Sequence, residues 1–228
     1  MSPQALVRIA AALALAGCPS GPANGAPPMP ERDVSDPKSD REIDRQLLAA
    51  QDPHGDRPNL AAREQSLQWL LAHADRAYPR VLAAAQAAPT ARLVEILGRF
   101  DRPESTPLLT ATLEAGGDAA RVAGGALGSS HDPAGHHALF RALGSPQPPV
   151  VMAGLHGLRM RGDRGACGKM LPLLSHADSE VRWMAVHAGA GLGGLDAAAL
   201  DAIAAGDADA GVRRLAAEQA AAVRQGRR

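Results

Sequence analysis

The segment Asp178-Ser179-Glu180-Val181-Arg182-Trp183-Met184-Ala185 is matched 31 residues later by Asp209-Ala210-Gly211-Val212-Arg213-Arg214-Leu215-Ala216. A third line, Asp118-Ala119-Ala120-Arg121-Val122-Ala123, follows the same pattern. With Val181 and Val212 as anchors, equivalent positions fall near Ala62, Pro89, Ala119 and Val150, at intervals of 27, 30, 31, 31 and 31 residues. Each anchor opens a helical stretch that reaches Leu or Gly about two turns later, as at Leu97-Gly98, Leu127-Gly128 and Leu158. A turn follows, then a second apolar stretch: Val81-Leu82, Leu108-Leu109, Leu139-Phe140, Met170 to Leu174, and Leu200 to Ile203. One such hairpin cannot bury both apolar faces alone, whereas stacked copies bury a continuous core. The repeat therefore predicts an all-α fold, a right-handed α-solenoid of about five to six helical hairpins over residues 39–228.

Composition agrees where it has physical content. Ala is the best helix former, aromatics make up 2 % of the chain, and no stretch alternates apolar with polar, so a sheet is disfavoured. Asp118, Asp178 and Asp209 stand where a helix N-cap belongs, each cap contributing about 1 kcal/mol. Arg182 and Arg213 each lie one turn beyond an Asp. The residues Asp178, Arg182, Asp209 and Arg213 are expected to form a structural ladder, with Arg182 reaching Asp178 or Asp209. The ladder can be complete only near the C-terminus, because Val151 replaces the Arg and Pro146-Gln147 replaces the Asp one repeat earlier.

The line D-x-x-V-R-x-x-A resembles the first helix of short HEAT-like repeats of the bilin-lyase type, over about residues 59–228. The resemblance is strongest in the last two repeats. It implies that second helices line a concave wall where an extended protein or peptide docks. The solvent-facing candidates on those helices are Arg80, Gln86, Thr110, Thr112, Glu114, Arg141 and Lys169. With few aromatic anchors, such docking is expected to be modest or guided by charge. Relatives also include enzymes, so a lyase-type activity is the alternative, and a spacer without a specific partner is a third reading. HEAT-like hydroxylases hold iron through His-Glu dipeptides, and this chain has none.

A second signal lies at the start. Leu15-Ala16-Gly17-Cys18 resembles the lipobox of bacterial lipoproteins. Arg8 precedes an apolar run from Ile9 to Ala16, too short to span a bilayer, and no acidic residue precedes Glu31. The resemblance implies a signal peptide over residues 1–17, cleavage between Gly17 and Cys18, and lipidation of Cys18. The protein would then be membrane-anchored in the cell envelope, on the non-cytoplasmic side. Residues 18–38 read as a Pro/Gly-rich linker. Ser39 and Glu42 match a capping box, with Ile43, Leu47 and Leu48 following at helical spacing and Asp52-Pro53-His54-Gly55 ending the helix. That helix is expected to cap the first repeat.

The remaining motifs carry little chemistry. Formal net charge is +0, and with so few aromatics the chain lacks the basic, stacking surface of a nucleic-acid binder. Only Cys18 and Cys167 are present, which excludes a disulfide scaffold and leaves Cys167 as a small packed residue. His131, His136 and His137 lack completing ligands at zinc spacing, and Asp132 is expected to cap a helix. Arg161-Gly162-Asp163 reads as an ordinary inter-helix turn. No catalytic residue, metal or cofactor is predicted.

Overall fold

A computed structural model describes residues 37–51 and 60–226. The signal region, Gly17, Cys18 and the linker up to residue 36 lie outside the described residues, as do Asp52-Pro53-His54-Gly55. The described residues form one unit and are all-helical.

Twelve α-helices are described: α1 (Pro37–Gln51), α2 (Leu60–Ala72), α3 (Ala74–Ala87), α4 (Ala91–Arg99), α5 (Thr106–Ala115), α6 (Asp118–Ser129), α7 (Pro133–Ala142), α8 (Pro148–Arg161), α9 (Cys167–Met170), α10 (Ser179–Gly191), α11 (Ala197–Gly206) and α12 (Ala210–Arg224). The anchors Ala62, Ala119, Val150, Val181 and Val212 all lie in the first turn of an even-numbered helix from α2 onward. Pro89 falls just before α4, whose N-cap Thr90 accepts from the Leu93 N–H. The second helix of the fourth repeat is fragmented into α9 flanked by 3-10 turns at Arg164–Ala166 and Leu171–Ser175. Pro172 removes a backbone donor there, and Gly165 and Gly168 weaken the helix around it.

The pairing of helices differs in phase from the sequence expectation. Extensive packing joins α1 with α2, α3 with α4, α5 with α6, α7 with α8, the Leu171–Ser175 turn with α10, and α11 with α12. Each second helix thus lies on the first helix that follows it. In this phase every extensive contact falls within a pair or between consecutive pairs: α4 on α6, α6 on α8, α8 on α10, α10 on α12, and α5 on α7 and α8. The helix expected to act as a cap, α1, takes the place of a second helix beside α2. A buried cluster from Ile43 to Leu192 runs through α1–α10, and a second cluster, including Leu200, Val212 and Leu215, joins α10 to α12.

Helix α1 starts at Pro37, so Ser39 lies inside its first turn and the linker ends before residue 37. Asp118 is the first helical residue, the N-cap being Gly117, so it is not a cap. Asp178 and Asp209 do cap, accepting from Glu180 and Val181 in one case and from Val212 in the other.

The α6–α8 contact is set by glycine. A Cβ on Gly124 would collide with the Ala153 carbonyl, on Gly128 with the Gly157 carbonyl, and on Gly157 with the Gly124 carbonyl. The two backbones therefore touch directly. Beyond the first helices the chain turns through left-handed residues, Asp101 (φ 47°), Gly162 (φ 70°) and Gly193 (φ 75°). Asp101 tolerates this conformation while its carboxylate accepts from the His131 backbone N–H (3.1 Å) and bonds the His131 ring.

Candidate functional site

The Arg ladder is present with a different acid. Arg182 Nε and Nη2 donate to the two carboxylate oxygens of Asp207, each at 2.9 Å. Its Nη1 donates to the carbonyls of His176 (2.9 Å) and Ala177 (3.1 Å). Arg213 repeats the second half of this arrangement, its Nη1 donating to Asp207 O (2.7 Å) and Ala208 O (2.8 Å). The Arg182 and Asp207 side chains are 14 % and 8 % exposed, so the fork is well shielded. The Arg182 bond, set against a smaller cost of burial, holds the Asp207 carboxyl below its ordinary range. The expected partners Asp178 and Asp209 are occupied as caps.

Asp207 belongs to a repeat of its own that the sequence reading missed. Ser145 Oγ accepts from Gln147 N (3.2 Å), His176 Nδ1 from Asp178 N (3.0 Å), and Asp207 Oδ1 from Asp209 N (2.8 Å). Positions 145, 176 and 207 stand 31 residues apart. At each, a side-chain acceptor two residues before the N-cap fixes the turn within a helical pair.

The second-helix face is largely satisfied within itself. Arg80 is bound by Asp44 (2.6 Å) and Asp40 (2.9 Å) of α1. Glu114 and Arg141 pair with each other at 2.8 Å across α5 and α7. Thr112 is buried, 5 % exposed, with its hydroxyl donating to Leu108 O (2.8 Å), so it does not face solvent. Thr110 is half-buried, and Gln86 and Lys169 are exposed, the Lys169 ammonium 5.9 Å from the Phe140 ring centre. Tyr78 bonds Ser105 (3.0 Å) and Arg102 pairs with Asp75 (2.7 Å), joining α3 to the Pro103–Ser105 turn and α5.

The other sequence candidates are likewise engaged. His136 Nε2 bonds Asp163 (2.7 Å), whose other oxygen accepts from Gly165 N (2.8 Å). The Arg161-Gly162-Asp163 run is thus an inter-helix turn with its carboxylate used twice. Asp132 caps α7 by accepting from Ala134 N (2.9 Å). Cys167 is half-buried beside Gly194 and lines a small apolar void with Met170, Leu174 and Leu195.

The first helices carry a different surface. Three recesses of 450–490 Å³ run along α4, α6, α8 and α10. The middle one shares Arg121 and Val122 with the first and Met152 and Met184 with the last, so the three run on as one groove. Its exposed apolar points are Met160 (51 %) and Trp183 (37 %). Arg121, Met152 and Trp183 stand one repeat apart, as do Gly125, His156 and His187. The Trp183 ring stacks on His187 with centres 5.3 Å apart. Burial lowers both imidazoles below 6.5, and for His156 the neighbouring Arg159, Arg121 and His187 lower it further. For His187, Arg159 does the same.

Among the described residues neither Arg121 nor Arg159 makes an ion pair, and Arg159 Nε is buried without a hydrogen-bond partner. The groove also contains acids. Glu95, paired with Arg92, shares a recess with Arg99, Arg121 and His156, while Asp118, Glu180 and Asp209 line it at the N-terminal ends of α6, α10 and α12. The lining is thus of mixed charge, with its edge at the helix N-termini acidic. The spacing of Arg121, Met152, Trp183, His156 and His187 was the available sequence signal for this groove.

No family model matches the chain, and no curated protein matches it either.

Proposed function

We propose that this protein is an interaction module: a right-handed α-solenoid of HEAT-like hairpins that holds an extended polypeptide in the groove along its first helices. Cys18 serves as its lipid anchor in the cell envelope. Neighbour-only packing of helical pairs supports the solenoid reading. Glycine contact brings α6 and α8 together more closely than side chains on both helices would permit.

The observation that carries the docking assignment is the contrast between the two faces. Arg80, Glu114 and Arg141 on the second helices are held in ion pairs, whereas the first-helix groove keeps exposed Met160 and Trp183 beside Arg121, which makes no ion pair among the described residues. Aromatic and Arg side chains at the centre of a recess are the usual anchors of a protein interface. A photo-crosslinking residue at Met160, compared with one at Lys169, tests the assignment in membranes from producing cells. Adducts mapped by mass spectrometry should form from position 160, on one polypeptide segment, and not from 169. Adducts from 169 alone would return the interface to the second helices.

A further inference from the structure

We infer that the α10–α12 end of this groove docks a basic stretch of the partner polypeptide, seating a Lys or Arg side chain among Met152, Glu180, Trp183, Met184 and Asp209. This rests on the docking reading and names the charge of the segment at one end.

The five residues line a single recess of 450 Å³. Trp183 and Glu180 are exposed, so both can be reached from solvent. Among the described residues Glu180 makes no ion pair, and Asp209 spends one carboxylate oxygen on the Val212 N–H. The described lining of this recess holds no cation. The Arg side chains next to it in sequence are already engaged. Arg182 is held by Asp207, Arg213 donates to the carbonyls of Asp207 and Ala208, and Arg214 lies 3.9 Å from Glu218.

The groove is therefore charged unequally along its length. Around the starts of α10 and α12, Asp178, Glu180, Asp207 and Asp209 outnumber Arg182 and Arg213. At the opposite end Arg99 and Arg121 share a recess with Glu95. A basic side chain is complementary to the first of these ends and not to the second.

Lys and Arg also match the apolar part of the lining. The alkyl stem packs on Met152 and Met184 while the charged head meets Glu180 and Asp209. An indole adds to this, since a cation within about 6 Å of its ring centre is attracted by the ring face. A metal ion fits less well, because among the described residues no three His, Cys, Asp or Glu groups are placed to hold one. The recess runs on through Met152 and Met184 into the middle of the groove, which suits a chain better than an isolated headgroup. The N-terminal part of this same chain is a poor match in charge, since residues 1–36 carry Arg8 and Arg32 against Glu31, Asp33 and Asp36.

The test follows the two indole N–H signals of the isotopically labelled full chain, Trp69 and Trp183, assigned with Trp183→Phe. A decapeptide of alternating Leu and Lys should shift the Trp183 signal and leave that of Trp69, and one of alternating Leu and Glu should move neither. Glu180→Gln, at an exposed position, and Asp209→Asn, which keeps a capping side chain, should each weaken Lys-peptide binding at least about threefold. Glu104→Gln, an exposed acid on the Pro103–Ser105 turn, should leave it unchanged. A Trp183 signal unmoved by the Lys peptide, one moved as far by the Glu peptide, or equal weakening by Glu104→Gln would overturn the basic-segment assignment. A signal moved by phosphatidylcholine vesicles and not by the Lys peptide would replace it with a lipid headgroup site. The Met160 crosslink does not depend on the partner's charge, so the docking reading stands or falls separately.

Discussion

Arg182→Ala removes a fork that four hydrogen bonds hold in place, and its cost is open to estimate. Two of those bonds are charge-assisted contacts to Asp207, whose carboxylate is 8 % exposed. A hydrogen bond to a charged group contributes about 1.5–3 kcal/mol net, and breaking a fully buried pair costs about 3–5 kcal/mol. Asp207 keeps its bond from the Asp209 N–H, and the freed carbonyl of exposed Ala177 hydrates, so the loss sits at about 2–4 kcal/mol. In a domain of this size each kcal/mol lowers Tm by about 2–4 °C, giving a drop of roughly 4–16 °C in thermal unfolding followed by circular dichroism. Arg213→Ala loses only two carbonyl contacts and should fall by less than half as much. Because contacts run only between neighbouring pairs, hydrogen exchange should show the loss confined to α10–α12. The Asp207 contribution is present at neutral pH and disappears as pH falls through its lowered folded-state value, below 3.8. Above that value the deficit of Arg182→Ala should persist, and below it the deficit should shrink. A Tm change under about 1 °C, or a loss equal to that of Arg213→Ala, would refute the shielded-fork argument.

Gly157→Ala should cost about 3 kcal/mol or more, since the added methyl meets the backbone of Gly124 and no rotamer relieves it, while Gly168→Ala, facing open space, should raise stability by about 0.5–1 kcal/mol; chemical denaturation measures both. His156 and His187 titrate below 6.5 when folded, so the unfolded chain binds more protons and stability should fall as pH drops through 6.5 toward their folded values. The double variant His156→Gln/His187→Gln should flatten that part of the Tm–pH curve, and an unchanged slope would show that burial does not perturb these rings. Cys18→Ala should release the protein from membranes or leave it unprocessed, because acyl chains bind at about 0.8 kcal/mol per buried CH₂. A variant still cleaved after Gly17 and still sedimenting with membranes would remove the lipoprotein reading.

Helix identity and order were legible because the spacing of Val150, Val181 and Val212 is a property of sequence alone. Pair phase was not. A repeat of 31 residues looks the same wherever its unit is taken to start, and only packing decides that α5 lies on α6 and not chiefly on α4. Asp207 was not legible because the series Ser145, His176, Asp207 changes residue type at each step and keeps only its acceptor. Thr112 was placed in solvent because it is polar, yet its hydroxyl satisfies itself on Leu108 O, which lets the side chain enter the core. The groove was legible in part, through the 31-residue spacing of Arg121, Met152 and Trp183 and of His156 and His187, whereas the glycine contact that sets the separation of α6 and α8 has no periodic signature. Gly124, Gly128 and Gly157 also occur in a chain with 24 glycines, so their number gave no warning.

The phase of the helical pairs decides where this chain tolerates being cut. The left-handed residues Asp101, Gly162 and Gly193 stand between pairs, whereas Gly116-Gly117, Ser145 and Asp207 stand within them. A protease nick beside Gly162 or Gly193 leaves whole pairs on both sides, still joined by their broad α8–α10 or α10–α12 faces. A nick at Gly116-Gly117 parts α5 from the helix that covers it. Genes that lengthen or shorten such an array by recombination at the first kind of site therefore add or subtract complete units, and the groove grows or shrinks by one helix at a time.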